Sequence, residues 1–197
     1  MPKQKKSKVI FSSTIVPENS SLSPLRFDKF IVAVANFLDS KIKGSVEFIE
    51  INSKQNLDKE LSSGVSTKII INLEGLPKNS THGIHIHEAG DLSDQCMSAC
   101  AHFNPYNKQH GGIDSKERHI GDLGNITTDK YGKVNYEIID KQIKLRGTKA
   151  NIIGRSIVIH ADKDDCGLGG FPDSLTTGHS GKRIACAVIG YSKKMFV

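Results

Sequence analysis

From Phe30 onward, apolar and polar positions alternate in short runs separated by turn residues. FIVAVANF, KGSVEFIEI, TKIIINLEG and HGIHIHE are β-branched or alternating segments, a period of two that suits half-buried strands. NITTDKYGKVNYEIID reads as two strands turning around Asp129, Lys130, Tyr131 and Gly132, and GRSIVIHA and RIACAVIGY follow. About eight short strands with no convincing helical period predict an all-β domain, a closed or sandwiched antiparallel sheet. Two gaps, residues 89–121 and 161–183, are too long for hairpins. Loops of that length in a compact β domain are usually functional.

Length and charge narrow the picture. A chain of 197 residues holds one domain with an appendage and can bury a real core. The formal charge of +6 is concentrated at the start, where Lys3, Lys5, Lys6, Lys8, Arg26 and Lys29 against Glu18 and Asp28 give +4 and leave +2 for the rest. Residues 1–29, basic and rich in Ser and Pro, are expected to form a disordered extension to a domain over 30–197. The lysines at 3–8 also fit a nuclear-import or polyanion patch, but a solvated tail is the simpler reading. With 6% aromatic residues and no basic strand face, a nucleic-acid partner is not expected. No apolar run is long enough to span a membrane, so none is expected there either. Behind the first lysines only Val9, Ile10 and Phe11 are apolar, too short for a secretory signal, and a cytoplasmic setting is expected.

The chemistry is concentrated in residues 81–122, which hold six of the eight histidines. Packing alone gives no reason to crowd imidazoles, since each buried ring needs a hydrogen-bond partner or a metal. In GIHIHE, His85 and His87 share one strand face and Ile84 and Ile86 the other. Rings about 7 Å apart at their bases can converge on one ion. His102, His110, His119 and Asp122 follow in a Gly-rich segment, and three imidazoles with one carboxylate make a closed tetrahedral set of the kind that holds structural zinc. His160, which ends the IVIH strand just before the second long loop, is a further candidate ligand for the incomplete His85 and His87 pair.

HGIHIHEAGD, AHFNP, HGG, ERHIGDLGN, IIGRSIVIHA, DDCGLGG and RIACAVIG, in this order, resemble eukaryotic-type copper/zinc superoxide dismutases from about Phe30 to Tyr191. The resemblance implies an eight-stranded Greek-key β-barrel with two long functional loops, usually a homodimer, that converts superoxide to dioxygen and hydrogen peroxide. It implies copper on His85, His87, His102 and His160, with His102 bridging to a zinc held by His110, His119 and Asp122. Asp164 matches a carboxylate that orients one histidine of each metal, and Arg183 the guanidinium beside the open copper position. Cys96 and Cys186 match the family's disulfide; Cys100 and Cys166 have no counterpart in it, and free thiols rather than a further pairing are the simpler reading. A copper-delivery protein is a possible further partner. His82 matches a structural histidine, and His179 stands where Asn is common; neither is expected to be a ligand. Asp173 is kept, but Pro172 and Thr176 replace an acid and a lysine found in some members. The competing reading is a non-catalytic relative, a copper-chaperone-like or metal-buffering domain. Such relatives lose copper ligands or the arginine, and this chain keeps them all.

Overall fold

The alternation resolves into two antiparallel sheets packed face to face. The computed structural model describes residues 30–38, 41–52, 65–147 and 149–196. The expectation for residues 1–29 lies outside them. The strands are β1 (Val32–Leu38), β2 (Lys43–Asn52), β3 (Val65–Glu74), β4 (Thr81–His87), β5 (Asp122–Thr127), β6 (Val134–Asp140), β7 (Ser156–His160), β8 (Arg183–Val188) and β9 (Gly190–Tyr191). One sheet runs β6-β3-β2-β1-β9 and the other β5-β4-β7-β8. The chain crosses between the sheets four times, after β3, β5, β6 and β8, and β3 pairs with β6 and β4 with β7, which is Greek-key connectivity rather than a meander. The inward residues follow the period of two: Val46 and Phe48, Ile69 and Ile71, Ile84 and Ile86, Ile157 and Ile159 all lie in one core. Each large apolar side chain so buried contributes about 1.5–3 kcal/mol relative to exposure.

The structure departs from the sequence reading in three places. RIACAVIGY reads as one strand but is two, in different sheets. Ile189 turns aside to bond residues 154–155 (Ile189 N to Arg155 O 2.8 Å, Gly154 N to Ile189 O 2.9 Å), and the chain beyond it pairs with β1. Residues 141–155 form a third long connection, and its Ile143, Leu145 and Ile152 are fully buried. The second long loop contains one turn of helix, α1 (Ser174–Thr177), stopped by Gly178 at φ 66°. Of the apolar residues beside the bonds at residues 154–155, Ile152 and Ile189 are consumed by the chain's own core, whereas Ile153 is half-buried and Val188 exposed.

Two irregularities place the site. Between Gly83 and His85 the β4–β5 register shifts, so that Asp122 stands opposite His85. Between Ile159 and His160 the β7–β8 register shifts, so that His160 stands opposite Arg183. Extra residues of this kind bend a strand and re-aim its side chains.

Candidate metal centre

Strand β4 delivers His85 and His87, the end of β7 delivers His160, and an isolated bridge between His87 and His102 brings in the loop. All four rings are buried. Their centroids lie 4.0 Å apart for His85 and His102, 4.8 Å for His85 and His160, and 4.9 Å for His87 and His102. One nitrogen from each lies within 4.8 Å of all the others. The outward nitrogens are engaged: His87 Nδ1 with the Cys100 carbonyl at 2.9 Å, His160 Nδ1 with the Gly181 carbonyl at 3.2 Å, and His85 Nε2 with Asp164 Oδ2 at 2.8 Å. A carbonyl or carboxylate only accepts, so each engaged nitrogen carries the hydrogen and the opposite one keeps its lone pair for the centre. His85 Nδ1 and His102 Nε2 are buried with no hydrogen-bond partner. Orphaned acceptors in a dry site are what a metal ion satisfies.

The second cluster shares His102. Asp122 Oδ1 lies 3.0 Å from His102 Nδ1, 3.0 Å from His110 Nδ1 and 3.1 Å from His119 Nδ1. One carboxylate oxygen cannot serve three ring N–H groups, and the His110 contact, though short, is misdirected for a hydrogen bond. Four donors about 2.0–2.1 Å from one zinc ion stand roughly 3.3 Å apart at tetrahedral angles, close to this spacing. Asp122 Oδ2 is held by the backbone N–H of His119 at 2.8 Å and of Gly111 at 3.1 Å. His102 alone belongs to both clusters, presenting Nδ1 to one and Nε2 to the other.

Asp164 ties the clusters together from outside, with Oδ2 on His85 Nε2 and Oδ1 on His110 Nε2, both at 2.8 Å. A Cβ at Gly178 would stand 2.0 Å from Asp164 Oδ1, so the loop closes over this carboxylate only with glycine there. Three supports carry no sequence pattern. Asn125 pairs with the Asp164 backbone through two bonds of 2.8 Å. Arg118, 2% exposed, donates to the Asp122 carbonyl at 2.8 Å and to the Asp140 carboxylate, which locks the zinc-type loop to the end of β6. Gly83 leaves room for His85 and Asp164. Arg118 does stand next to His119 in ERHIGD, but nothing in its residue type announces a buried guanidinium.

Electrostatics keep the first cluster ready for a metal. Burial, followed by the neighbouring His102, pushes His85 well below its ordinary value and His87 down to about 2. Burial also lowers His160 to about 4, and lowers His102 despite Asp122. These imidazoles are therefore neutral at ordinary pH, the form a metal ion requires. His110 goes the other way: burial lowers it, but Asp122 and Asp164 outweigh burial and raise it to about 9. Both aspartates are held below the usual carboxylate range, their histidine contacts outweighing burial.

The clusters differ in access. His87, His102 and His160 line a cleft of about 620 Å³ together with Arg183, Cys100, Met97, Asp173, Thr176 and Thr177, whereas His110, His119 and Asp122 do not reach it. Arg183 lies against the first long loop, donating from Nη1 to the carbonyls of Cys96 (2.7 Å) and Met97 (3.2 Å) and from Nη2 to that of Cys100 (2.5 Å). A disulfide joins Cys96 to Cys186 on β8, and Cys100 and Cys166 are free. His82 lies outside both clusters, bonded to the His160 carbonyl and Ser80, and His179 bonds Asp173.

Comparison with known proteins agrees with this geometry. The sequence profile of the family described as copper/zinc superoxide dismutase matches residues 42–189. The chain is 52% identical over 188 residues to a superoxide dismutase [Cu-Zn] of Paramecium bursaria Chlorella virus 1, covering 95% of this chain and 93% of the relative. It is 47% identical over 155 residues to one from Candida albicans (79% and 94%), and 40% identical over 167 residues to an extracellular one from Drosophila melanogaster (85% and 86%). A crystal structure titled as the clock protein EA4 superposes with a TM-score of 0.73 at 37% identity, covering 84% of this chain and 98% of that one. The chain belongs to the copper/zinc superoxide dismutase family.

Proposed function

We propose that this protein is a superoxide dismutase that converts two superoxide anions and two protons to dioxygen and hydrogen peroxide. The observation that carries this reading is the pair of clusters sharing His102, one opening onto a cleft and the other closed. His85, His87, His102 and His160 hold copper, whose all-nitrogen set suits that metal. His102, His110, His119 and Asp122 hold zinc. Copper, when bound, supplies the alternating one-electron oxidation and reduction of superoxide. The chain's own residues do the rest. The Cys100 and Gly181 carbonyls fix the hydrogens of His87 and His160 so that their Nε2 lone pairs face inward. Asp164 orients His85 and His110 together, and zinc-type coordination fixes the loop that carries His102. Arg183, always charged, draws the anion into the cleft and offers donors to it.

The barrel domain runs over residues 30–197, with 1–29 as an extension. Two copies associate through a surface that includes Ile153 and Val188, the latter 41% exposed. The protein works in the cytoplasm, where the unpaired thiols of Cys100 and Cys166 stay reduced. A copper-delivery protein would reach His87, His102 and His160 through the cleft. Metal analysis with direct measurement of superoxide decay tests the core of the proposal. One copper and one zinc per chain with superoxide consumption are expected; zinc without copper and no consumption would favour the non-catalytic, metal-buffering reading.

A further inference from the structure

The Asp173 carboxylate lines the same cleft as Arg183, where it opposes the approach of an anion that Arg183 attracts. It is not alone there. His179 Nδ1 lies 2.7 Å from Asp173 Oδ1, and the His179 ring stacks on Phe171 with centroids 3.8 Å apart and planes 11° apart. The Thr177 hydroxyl donates to Asp173 Oδ2 at 2.9 Å, so both carboxylate oxygens are fixed at the start of α1. The bond from His179 also holds the Asp173 carboxyl below its ordinary value, which keeps it ionised. The two side chains are 49% and 47% exposed, within reach of protons from solvent. His179 belongs to neither ligand cluster. Its ring contacts are Asp173 and Phe171; the other titratable groups lining the cleft are Arg183, Cys100 and the imidazoles of His87, His102 and His160.

We propose that His179 is a positioning residue for substrate capture: by taking a proton it cancels the charge of Asp173 and leaves Arg183 to act unopposed on superoxide. This rests on the superoxide dismutase reading. A neutral His179 already donates its Nδ1 hydrogen to Asp173, so Nε2 takes up the proton from solvent with no rearrangement of the pair. Imidazoles change charge between about pH 5 and 8. With His179 neutral, Arg183 and Asp173 offset each other; with His179 protonated, the mouth of the cleft carries one net positive charge. One unit charge about 10 Å away in water changes the local concentration of a monovalent anion by about twofold, and salt erases the difference.

The test is the second-order rate of superoxide consumption by the copper- and zinc-loaded protein, followed by pulse radiolysis at low salt and normalised to bound copper. The wild-type rate divided by the His179→Asn rate is expected near one at pH 8.5 and about two at pH 5.5. His179→Lys, a permanent cation, should keep the faster rate at both pH values, and Asp173→Asn should raise the rate about twofold at pH 8.5. All these differences should shrink in high salt. A wild-type to His179→Asn ratio that does not change with pH, or a lysine variant as slow as the asparagine variant, would overturn the proposal and leave His179 a structural support of α1. Absence of superoxide consumption by the wild type at every pH would instead overturn the dismutase reading itself.

Discussion

At the scale of single residues, the centre is a problem of which nitrogen carries the hydrogen. Every imidazole in it has one nitrogen turned to a carbonyl, a carboxylate or the second cluster, and the choice of partner decides which lone pair points inward. In the first cluster His102 is the exception, because neither of its nitrogens has a partner outside the two clusters. Replacing it therefore removes a ligand from both sets, whereas replacing His87 removes one from a single set. His102→Ala is expected to lose copper and superoxide consumption and to weaken zinc retention together, while His87→Ala loses copper and keeps zinc. Asp164→Ala should weaken both metals by about 10- to 100-fold, since it orients one ligand of each. Metal content after dialysis against a graded chelator checks all three; a His102 variant that keeps zinc and copper would refute the shared ligand.

At the scale of elements, the strands were legible because a strand whose two faces meet different surroundings writes a period of two into the sequence, as in Ile84 and Ile86 in the core against His85 and His87 in the metal centre. The two clusters were legible because few residue types bind metals, and the seven side chains that the fold gathers there are all of such types. What remained hidden depends on partners far along the chain. The break of the last strand at Ile189 is set by bonds to residues 154–155, and the burial of Arg118 by a carboxylate at the end of β6. Neither leaves a local pattern. The disulfide belongs to this scale, because it staples the first long loop to β8 across a sequence separation of 90. In the chain-entropy account a closure of that length is worth about 4–5 kcal/mol. It also sits where Arg183 bonds the Cys96 and Cys100 carbonyls, and the latter carbonyl fixes His87. Replacing Cys96 and Cys186 by serine should lower the melting temperature of the metal-loaded protein by about 10 °C or more. Copper should be lost more readily than zinc, because the loosened segment touches only the open cluster. Thermal unfolding with metal analysis measures both; a melting temperature within about 2 °C of wild type would show that the loop is held without the bond.

At the scale of the whole molecule, the question is which charges the substrate feels. The chain carries +6, yet most of that excess belongs to residues 1–29, outside the family-matched span of 42–189. The lysines there act on the cleft only if they come within a Debye length of it, about 8–10 Å at ordinary salt. Arg183 lines the cleft itself and needs no approach. Its guanidinium has a second duty, since three carbonyls of residues 96–100 accept from it. A carboxylate at that position would face those carbonyls and release the segment that fixes His87, so charge reversal alone confounds steering with architecture. Arg183→Lys separates the two, keeping the charge but losing the fork that reaches several carbonyls at once. Arg183→Glu is expected to lower the second-order rate by well over tenfold and to flatten or invert its fall with ionic strength. Arg183→Lys should keep the salt dependence close to that of wild type while binding copper less firmly. Deleting residues 1–28 should change the rate by less than about twofold at physiological salt. Rates measured against salt for the three variants, each with its copper content, decide the matter: if the deletion slows the enzyme as much as Arg183→Glu does, capture is governed by the extension and not by the cleft.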